Sequence, residues 1–348
     1  MREAGERMMI TLKDVAARCG YSTAAVSKAL NGRSDINKNT ARQIREVARD
    51  MGYIPNTAAR TLITNSSMSV GLLFYLEETT IWEHEYFASI AASVQEVMEK
   101  EGFDIAPVNI ARKSVVGSCA DYCRHRNYDG ALVMSVDNNA RELTEFVASS
   151  QSLPMVMIDA WLPERSAVIS DNYTGARDLI YYAYLRGHRR IAFIYGDENT
   201  IVTQARLKGV QEACRDLFLT LPAEYILSGG YRSPEKTAEA FSRLMTLPQP
   251  PTCILCPDDY AALGAYNQAQ RMGLSIPQDV SLIGYDGIPL AQVLSPRLTT
   301  LRQDSREIGR QAAQLLLGII RDPMSPARQI YLPGTVVEGE SVSRLSRD

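Results

Sequence analysis

From residue 69 onward, apolar residues come in short unbroken runs separated by stretches with helical spacing. SVGLLFY, DIAPVN, GALVMS and PMVMID read as strands, with helices predicted over 87–100, 115–126 and 141–150. The pattern restarts at AVISD. RIAFIYG, EYILSG, TCILC and VSLIGYD read as further strands, alternating with helices over 173–186, 205–217, 234–244 and 260–272. Strands of this kind are buried on both faces, so the alternation predicts an α/β body of two doubly wound parallel sheets in tandem. The repetition is one of layout, not of sequence.

Residues 11–52 follow a different pattern. Leu12, Val15, Ala16 and Cys19 share one helical face, with Thr11 as N-cap and Asp14 in the first turn. Gly20 allows a sharp turn, Ser22 caps a second helix, and Val26 and Leu30 point inward. Counted from Leu12, Ala16 is fifth, Gly20 ninth and Val26 fifteenth. A helix-turn-helix needs a small residue, a turn glycine and an apolar pin at those places. Asn31-Gly32 ends the second helix. A third is predicted over 40–51, with Ile44, Val47 and Ala48 inward and Gly52 as its C-cap. A plain three-helix bundle is the competing reading.

Charge sharpens this division. Residues 1–62 hold eleven Lys and Arg against six Asp and Glu, a surplus of five positive charges. The remainder holds 26 basic and 34 acidic residues, a net −8. The basic head is therefore the part suited to a polyanion, unless its charges only solvate a helix face. As a DNA reader, the second helix offers Thr23, Ala24, Ser27 and Lys28 to base edges in the major groove. Arg33, Asn39 and Thr40, with Thr11 and Ser22 at the helix starts, would hold the backbone. After Pro55, Asn56 can cap a short helix over 56–62, too short to be stable alone.

TLKDVAARCGYSTAAVSKALNG, the TARQIREVA run and MGYIPNTAARTL together resemble the headpiece of the lactose-repressor/galactose-repressor family of bacterial transcription regulators. SVGLL, GHRRIAFI, RLKG, PDDYAALGA, IPQDVSLIGYDG and SPRLTTLRQD resemble the same family's effector-binding core, a two-subdomain fold like the type I periplasmic-binding proteins. The resemblance implies a headpiece over 9–62, with a hinge helix over 56–62, and a core over 69–342. It divides the core into an N-subdomain (about 69–164 and 298–324) and a C-subdomain (about 165–297 and 325–342). The three crossings then fall near 163–167, 287–299 and 321–327. It also implies that Leu62, beside Ala59, wedges into the minor groove at the operator centre, where apolar wedges kink DNA.

Ligands of doubly wound sheets sit beyond the carboxyl ends of the strands. Asp159 and Asp286 end strands there, Arg206 can donate a fork of hydrogen bonds, and Tyr231 offers a flat ring. Asp258 follows TCILC. The resemblance maps all five to effector contacts. Asp286 as a turn residue and Asp258 or Asp259 as a helix cap are the competing readings. The family usually has Asn-Asp where this chain has Asp258-Asp259, and often Asn-Pro-Phe where this chain has EETTIWEHEYF. His84 in that loop is expected at the surface rather than on a ligand, and His188 is expected to be structural.

The implied function is a repressor whose operator affinity is controlled by a small-molecule effector. A carbohydrate is the first expectation, and a co-repressing nucleobase or nucleoside is the alternative. The implied partners are palindromic operator DNA and a second copy of the chain, because the family's tetramers use a leucine heptad tail that VEGESVSRLSRD lacks. No P-loop, G-x-S-x-G, H-E-x-x-H or G-x-G-x-x-G after a strand is present, so an enzyme is not expected. No cofactor or metal is expected either. Cys253 and Cys256 have the spacing of a metal or redox pair, yet they lie in a buried strand pattern and read as inert thiols. No signal peptide or membrane span is visible, which makes the cytoplasm the expected compartment. Met8 or Met9 are alternative starts.

Overall fold

The computed structural model describes residues 10–30, 35–53, 66–74, 81–110, 119–134, 153–162 and 164–345. The chain divides into two compact units, Met1–Ser67 and Met68–Asp348. Arg33, Asn56, Ala59, Leu62 and the helix predicted over 141–150 lie outside the described residues, as does the start of the helix predicted over 115–126.

The head contains α1 (Leu12–Cys19), α2 (Thr23–Leu30) and α3 (Lys38–Asp50). Thr11 and Asp14 form a capping box. The Thr11 backbone N–H donates to Asp14 Oδ2 at 2.7 Å, and the Asp14 N–H donates back to Thr11 Oγ1 at 3.4 Å. Gly20 takes φ +74°, where a side chain is strained, and turns the chain into α2. Ser22 Oγ accepts from the Ala25 N–H at 3.2 Å. The third helix begins two residues before the expected Thr40. Asn37, rather than a later residue, supplies the cap, accepting from the Asn39 N–H at 2.8 Å. Val15, Ala16, Val26, Ala29, Ala41, Ile44 and Ala48 close the small core.

Among the described residues the core holds two six-stranded sheets. The first contains β1 (Ser69–Phe74), β2 (Asp104–Asn109), β3 (Gly130–Met134), β4 (Met155–Ile158), β5 (Ser166–Ser170) and β11 (Gln329–Leu332), in the order β11-β5-β4-β3-β1-β2. The second contains β6 (Ile191–Tyr195), β7 (Ile226–Ser228), β8 (Cys253–Leu255), β9 (Ser281–Asp286), β10 (Thr299–Arg302) and β12 (Thr335–Val337), in the order β12-β10-β9-β8-β6-β7. All pairings are parallel except that of β10 with β12. Helices cover both faces of each sheet, which is why β3, β4 and β5 are buried along their whole length. On the first sheet, α4 (Glu85–Lys100) and α11 (Ser305–Arg321) pack Ile90, Val94 and Met98 against Ile308, Ala312 and Leu316. Its other face carries Cys123 of α5 (Cys119–His125). The second sheet is covered by α6 (Asn172–Leu185) and α7 (Ile201–Asp216) on one side. On the other lie α8 (Pro234–Met245), α9 (Asp259–Arg271) and the short α10 (Leu290–Val293).

All three crossings fall later than the sequence reading places them. Residues 166–170, read above as the restart of the pattern, pair with β4 in the first sheet, so the chain crosses after Ser170. Residues 299–302 pair with β9 in the second sheet, so the second crossing lies between Arg302 and Ser305. The chain then returns once more to the first sheet as β11, beside β5, and leaves it only between Leu332 and Thr335. The reason is non-local. A fully buried strand has no polar alternation to say which sheet it belongs to, and only its pairing partner decides.

Candidate functional site

On the head, α2 presents Thr23, Ala24 and Lys28 to solvent, with Ser27 half-buried. Val26 and Ala29 on its opposite side are fully buried and fix its rotation. Asn39 and Thr40 occupy the first turn of α3. Thr11 and Ser22 spend their hydroxyls on capping. Lys28 Nζ sits 2.6 Å from Asp35, an exposed pair that contributes little to stability and can exchange for a phosphate or base.

In the core, a cavity of about 740 Å³ opens at the carboxyl ends of the two sheets. Four of the five candidate effector residues line it: Asp159, Arg206, Tyr231 and Asp286. Asp159 follows β4 with φ +50°, and Asp286 ends β9 with φ +102°. Such backbone costs about 1–3 kcal/mol per residue and gathers at functional sites, where it aims a side chain that a regular strand would not. Asp159 accepts a short hydrogen bond from the Tyr86 hydroxyl and another from the Ser170 N–H at 2.8 Å. Asp286 Oδ1 accepts from Gln303 Nε2 at 2.7 Å.

Arg206 is 4% exposed. Its Nε donates to Asn172 Oδ1 and its Nη1 to the Pro257 carbonyl, both at 2.8 Å. The guanidinium lies 3.4 Å from the centre of the Tyr285 ring. Burial opposes its charge, but the Tyr231 and Tyr285 hydroxyls and Asp286 outweigh burial and hold its pKa above the ordinary value. Tyr231 lies against Gly196, where any Cβ would strike the ring, and its hydroxyl shares a 2.7 Å hydrogen bond with Thr203.

Asp258 is not on the cavity wall. It is the N-cap of α9: one oxygen accepts from the Ala261 N–H and the other from the Arg232 N–H, both at 2.7 Å. Its extended backbone directs it into the helix start, in line with the cap reading. Asp259 accepts from the Thr300 hydroxyl and the Ile288 N–H.

His84, expected at the surface, lines the cavity instead. It packs at a tilt against Phe87 with ring centres 4.3 Å apart, and Tyr86 and Phe87 line the wall beside it. Burial, then the charge of Arg232, lowers its pKa to about 3. Gln303 also reaches the cavity and was not anticipated. It stands in SPRLTTLRQD just past β10, and the run of letters does not say that the strand ends there. His188 lies away from the site, fully buried between Thr252 and the Ser343 carbonyl. The Cys253 and Cys256 thiols are buried, and burial pushes both upward in pKa.

Residues 11–56 match the bacterial regulatory proteins of the lacI family, and residues 182–342 match the periplasmic binding protein-like domain. The HTH-type transcriptional repressor CytR of Escherichia coli strain K12 is 33% identical over 325 residues, which span 91% of this chain and 92% of that protein. The chain belongs to the lacI family of bacterial regulatory proteins. The repressor PurR of Histophilus somni strain 129Pt is 32% identical over 97% of this chain and 100% of its own length. Among solved structures, the lac repressor dimer bound to operator and the anti-inducer ONPF superposes with a TM-score of 0.80. It is 22% identical, over 96% of this chain and 99% of that one. A CelR–cellobiose complex gives 0.73 at 23% identity, over 95% and 99%. These two show the fold. This LacI-family protein is a DNA-binding transcription regulator with a ligand-binding core, not an enzyme. Among its described residues no helix is long and apolar enough to cross a membrane.

The cleft makes the regulator's stability depend on pH. Burial first, then the charges of Asp258 and Asp159, push the Asp286 carboxyl up to about 7 against the opposing effects of Arg206 and the Gln303 hydrogen bond. Asp259, raised well above the usual range by burial and by Asp286, acts in the same sense. With its folded pKa raised, Asp286 keeps a proton in the folded chain that the unfolded chain has already released. Its stabilising contribution is therefore present at low pH and lost as pH rises from about 4 to about 7. His188, lowered by burial to about 4, opposes this: its contribution is present above about 6.5 and lost as pH falls toward 4. Comparing Asp286→Asn with wild type cancels the histidine. The variant's melting temperature is expected to gain on wild type between about pH 4 and about pH 7. A gap that stays constant across that range would contradict the placement of Asp286.

Proposed function

We propose that this regulator is a cytoplasmic repressor that binds a palindromic operator as a homodimer, and that a sugar or sugar derivative in the core cleft sets its operator affinity. The observation that supports this most is the cavity wall itself. Asp159 and Asp286 come from different sheets, while Arg206 and Tyr231 stand beside them. Carboxylates and a guanidinium at different angles suit a ring with several hydroxyls, and a flat aromatic suits its apolar face. A ligand held by both sheets changes the balance between their relative positions only through its different affinity for each arrangement. The second reading is a nucleobase or nucleoside. It is favoured by aromatic side chains on both walls, Phe87 with His84 on one and Tyr231 on the other, which suit a planar ring.

On DNA, Thr23, Ala24, Ser27 and Lys28 read the major groove, while Thr11, Ser22, Arg33, Asn39 and Thr40 hold phosphates. Asn56, Ala59 and Leu62 supply the hinge, with Leu62 at the minor groove. The test has two arms. Melting temperature is measured against a panel of sugars and nucleosides, and operator affinity is measured with and without each compound that raises it. The expected result is a compound that shifts both. A compound that stabilises the core but leaves operator affinity unchanged would overturn effector control. Specific binding to a palindromic library should fall steeply with salt, log affinity against log salt being linear with a slope near −0.9 per phosphate neutralised. Salt-independent binding would overturn the DNA reading. Leu62→Ala should weaken operator binding about tenfold or more while sparing non-specific binding; equal losses would remove the wedge.

A further inference from the structure

Where the second sheet forms the cleft wall, side-chain donors stand without acceptors. Arg206, Arg232, Ser233 and Lys236 all line the cavity. Arg206 engages Asn172 through Nε and the Pro257 carbonyl through Nη1. Arg232 is half-buried. Its backbone N–H donates to Asp258 at 2.7 Å, and its guanidinium lies 5.0 Å from the centre of the Tyr260 ring. Its Nη1 is buried without a hydrogen-bond partner, while Nε and Nη2, equally unengaged by the chain, are not sealed off in that way. Lys236 stands exposed in the first turn of α8, the positive end of the helix, where a cation is disfavoured. Among the described residues neither Arg232 nor Lys236 has a carboxylate at ion-pair distance from its side chain. Between them, Ser233 Oγ accepts from the Lys236 N–H at 3.4 Å and keeps its own hydrogen to donate.

The acidic side chains of the cleft do not answer these two cations. Burial holds Asp159 and Asp286 toward the neutral carboxyl, and both are engaged already, by Tyr86 and the Ser170 N–H and by Gln303. Asp258 meets Arg232 through the backbone N–H, not the guanidinium. Asp197 and Glu198 line the cavity too, but they are exposed to water, and Asp197 Oδ1 accepts from the Asn199 N–H at 3.0 Å. A half-buried cation without a partner is costly. A sugar hydroxyl brings lone pairs but no charge, and a carboxylate brings one charge on two oxygens. A phosphate monoester brings about 1.5–2 negative charges at neutral pH and three strong acceptor oxygens. The phosphate alone matches a guanidinium, a hydroxyl and an ammonium gathered within residues 232–236.

We propose that the effector is phosphorylated, and that its phosphate monoester docks on the open Nε–Nη2 edge of Arg232, the Ser233 hydroxyl and the Lys236 ammonium. The rest of the molecule then meets Asp159, Arg206 and Asp286. This rests on the reading of the cleft as the effector site. The shared chemistry is the phosphate monoester, and two sources can supply it: a sugar phosphate or a nucleoside monophosphate.

The test titrates the full-length protein by calorimetry near neutral pH, in phosphate-free buffer, with matched compounds. One arm sets D-glucose and D-ribose against their terminal monophosphates, with D-glucuronate as the carboxylate control. A second sets adenosine and cytidine against adenylate and cytidylate. A phosphorylated compound is expected to bind at least about tenfold tighter than its parent, the scale of one charge-assisted hydrogen bond. Its binding is expected to weaken at least about tenfold in Arg232→Gln and in Lys236→Gln, each of which removes one charge from a side chain outside the core. Circular dichroism confirms the fold of each variant, and either variant alone suffices. A tight sugar phosphate with inactive nucleotides assigns the source as a saccharide, and the reverse assigns a nucleotide. If a parent compound or D-glucuronate binds as tightly as any phosphorylated one, or if no phosphorylated compound binds, the phosphorylated effector is overturned while the cleft reading stands. If phosphate-dependent binding is unchanged in Arg232→Gln and Lys236→Gln but lost in Arg206→Lys, the proposed phosphate site is overturned and the cleft reading again stands. If it is unchanged in all three, the ligand binds elsewhere and both readings fall.

Discussion

Arg206→Ala should remove the regulator's response to every compound that stabilises the wild type, and should lower its stability by about 3 kcal/mol or more. Both losses come from one geometry. Arg206 is 4% exposed, and its guanidinium holds Asn172 and the Pro257 carbonyl at 2.8 Å and lies over the Tyr285 ring, 3.4 Å from its centre. Removing it leaves two buried acceptors without donors and withdraws the buried cation from among Asp159, Asp258 and Asp286. It also opens space beneath the ring of Tyr285. Arg206→Lys separates stability from response. An ammonium preserves the charge but cannot reproduce a planar fork that reaches two acceptors while stacked on a ring. Arg206→Lys should therefore retain most of the stability and still lose at least about tenfold in ligand affinity, the scale of one lost charge-assisted bond. Differential scanning calorimetry with and without ligand reads both effects. A full ligand-induced shift in a folded Arg206→Lys would mean that the fork does not hold the effector.

Local chemistry was legible in the sequence, and non-local pairing was not. Thr11, Asp14, Gly20 and Ser22 act as read, because a cap or a turn needs only residues within four positions of one another. Even so, the run Asn37-Lys38-Asn39-Thr40 offers three competing caps, of which α3 uses Asn37. Strand order is a different problem. Ser166–Ser170 and Thr299–Arg302 are buried throughout or nearly so, and no alternation assigns them to a sheet. Asp258 and Asp286 show why site residues are only partly readable. Each closely follows or ends a strand of the second sheet, and each could cap or bind. Backbone torsion separates them. Asp258 is extended and turned into α9, while Asp286, at φ +102°, turns into the cavity. Gln303 is invisible for the same reason as the crossings: its place depends on where β10 ends.

Gly264→Ala is expected to be among the most damaging single changes in the core, although it adds one methyl to a helix. In α9, a Cβ at position 264 would lie 1.8 Å from the Pro234 carbonyl oxygen and 2.5 Å from its carbon. Those atoms belong to the first turn of α8 and are backbone, so no rotamer can move aside. The two helices cross closely because Gly264 stands among small neighbours, with Ala261, Ala262 and Ala265 buried around it. Alanine's better helix propensity, about 1 kcal/mol, is outweighed by overpacking of about 3 kcal/mol or more. The melting temperature should fall by about 5–10 °C. Gly318→Ala supplies the contrast, since nothing lies within 4 Å of its Cβ on the exposed side of α11; it should gain up to about 1 kcal/mol. The damage at 264 should also reach the cleft. Residues 231–233 lead directly into α8, and Tyr231, Arg232 and Ser233 line the cavity. Displacing the start of α8 moves that wall, so ligand affinity should fall together with stability. Gly264→Ala that melts with wild type would show that the α8–α9 crossing is looser than the contacts at Pro234 require.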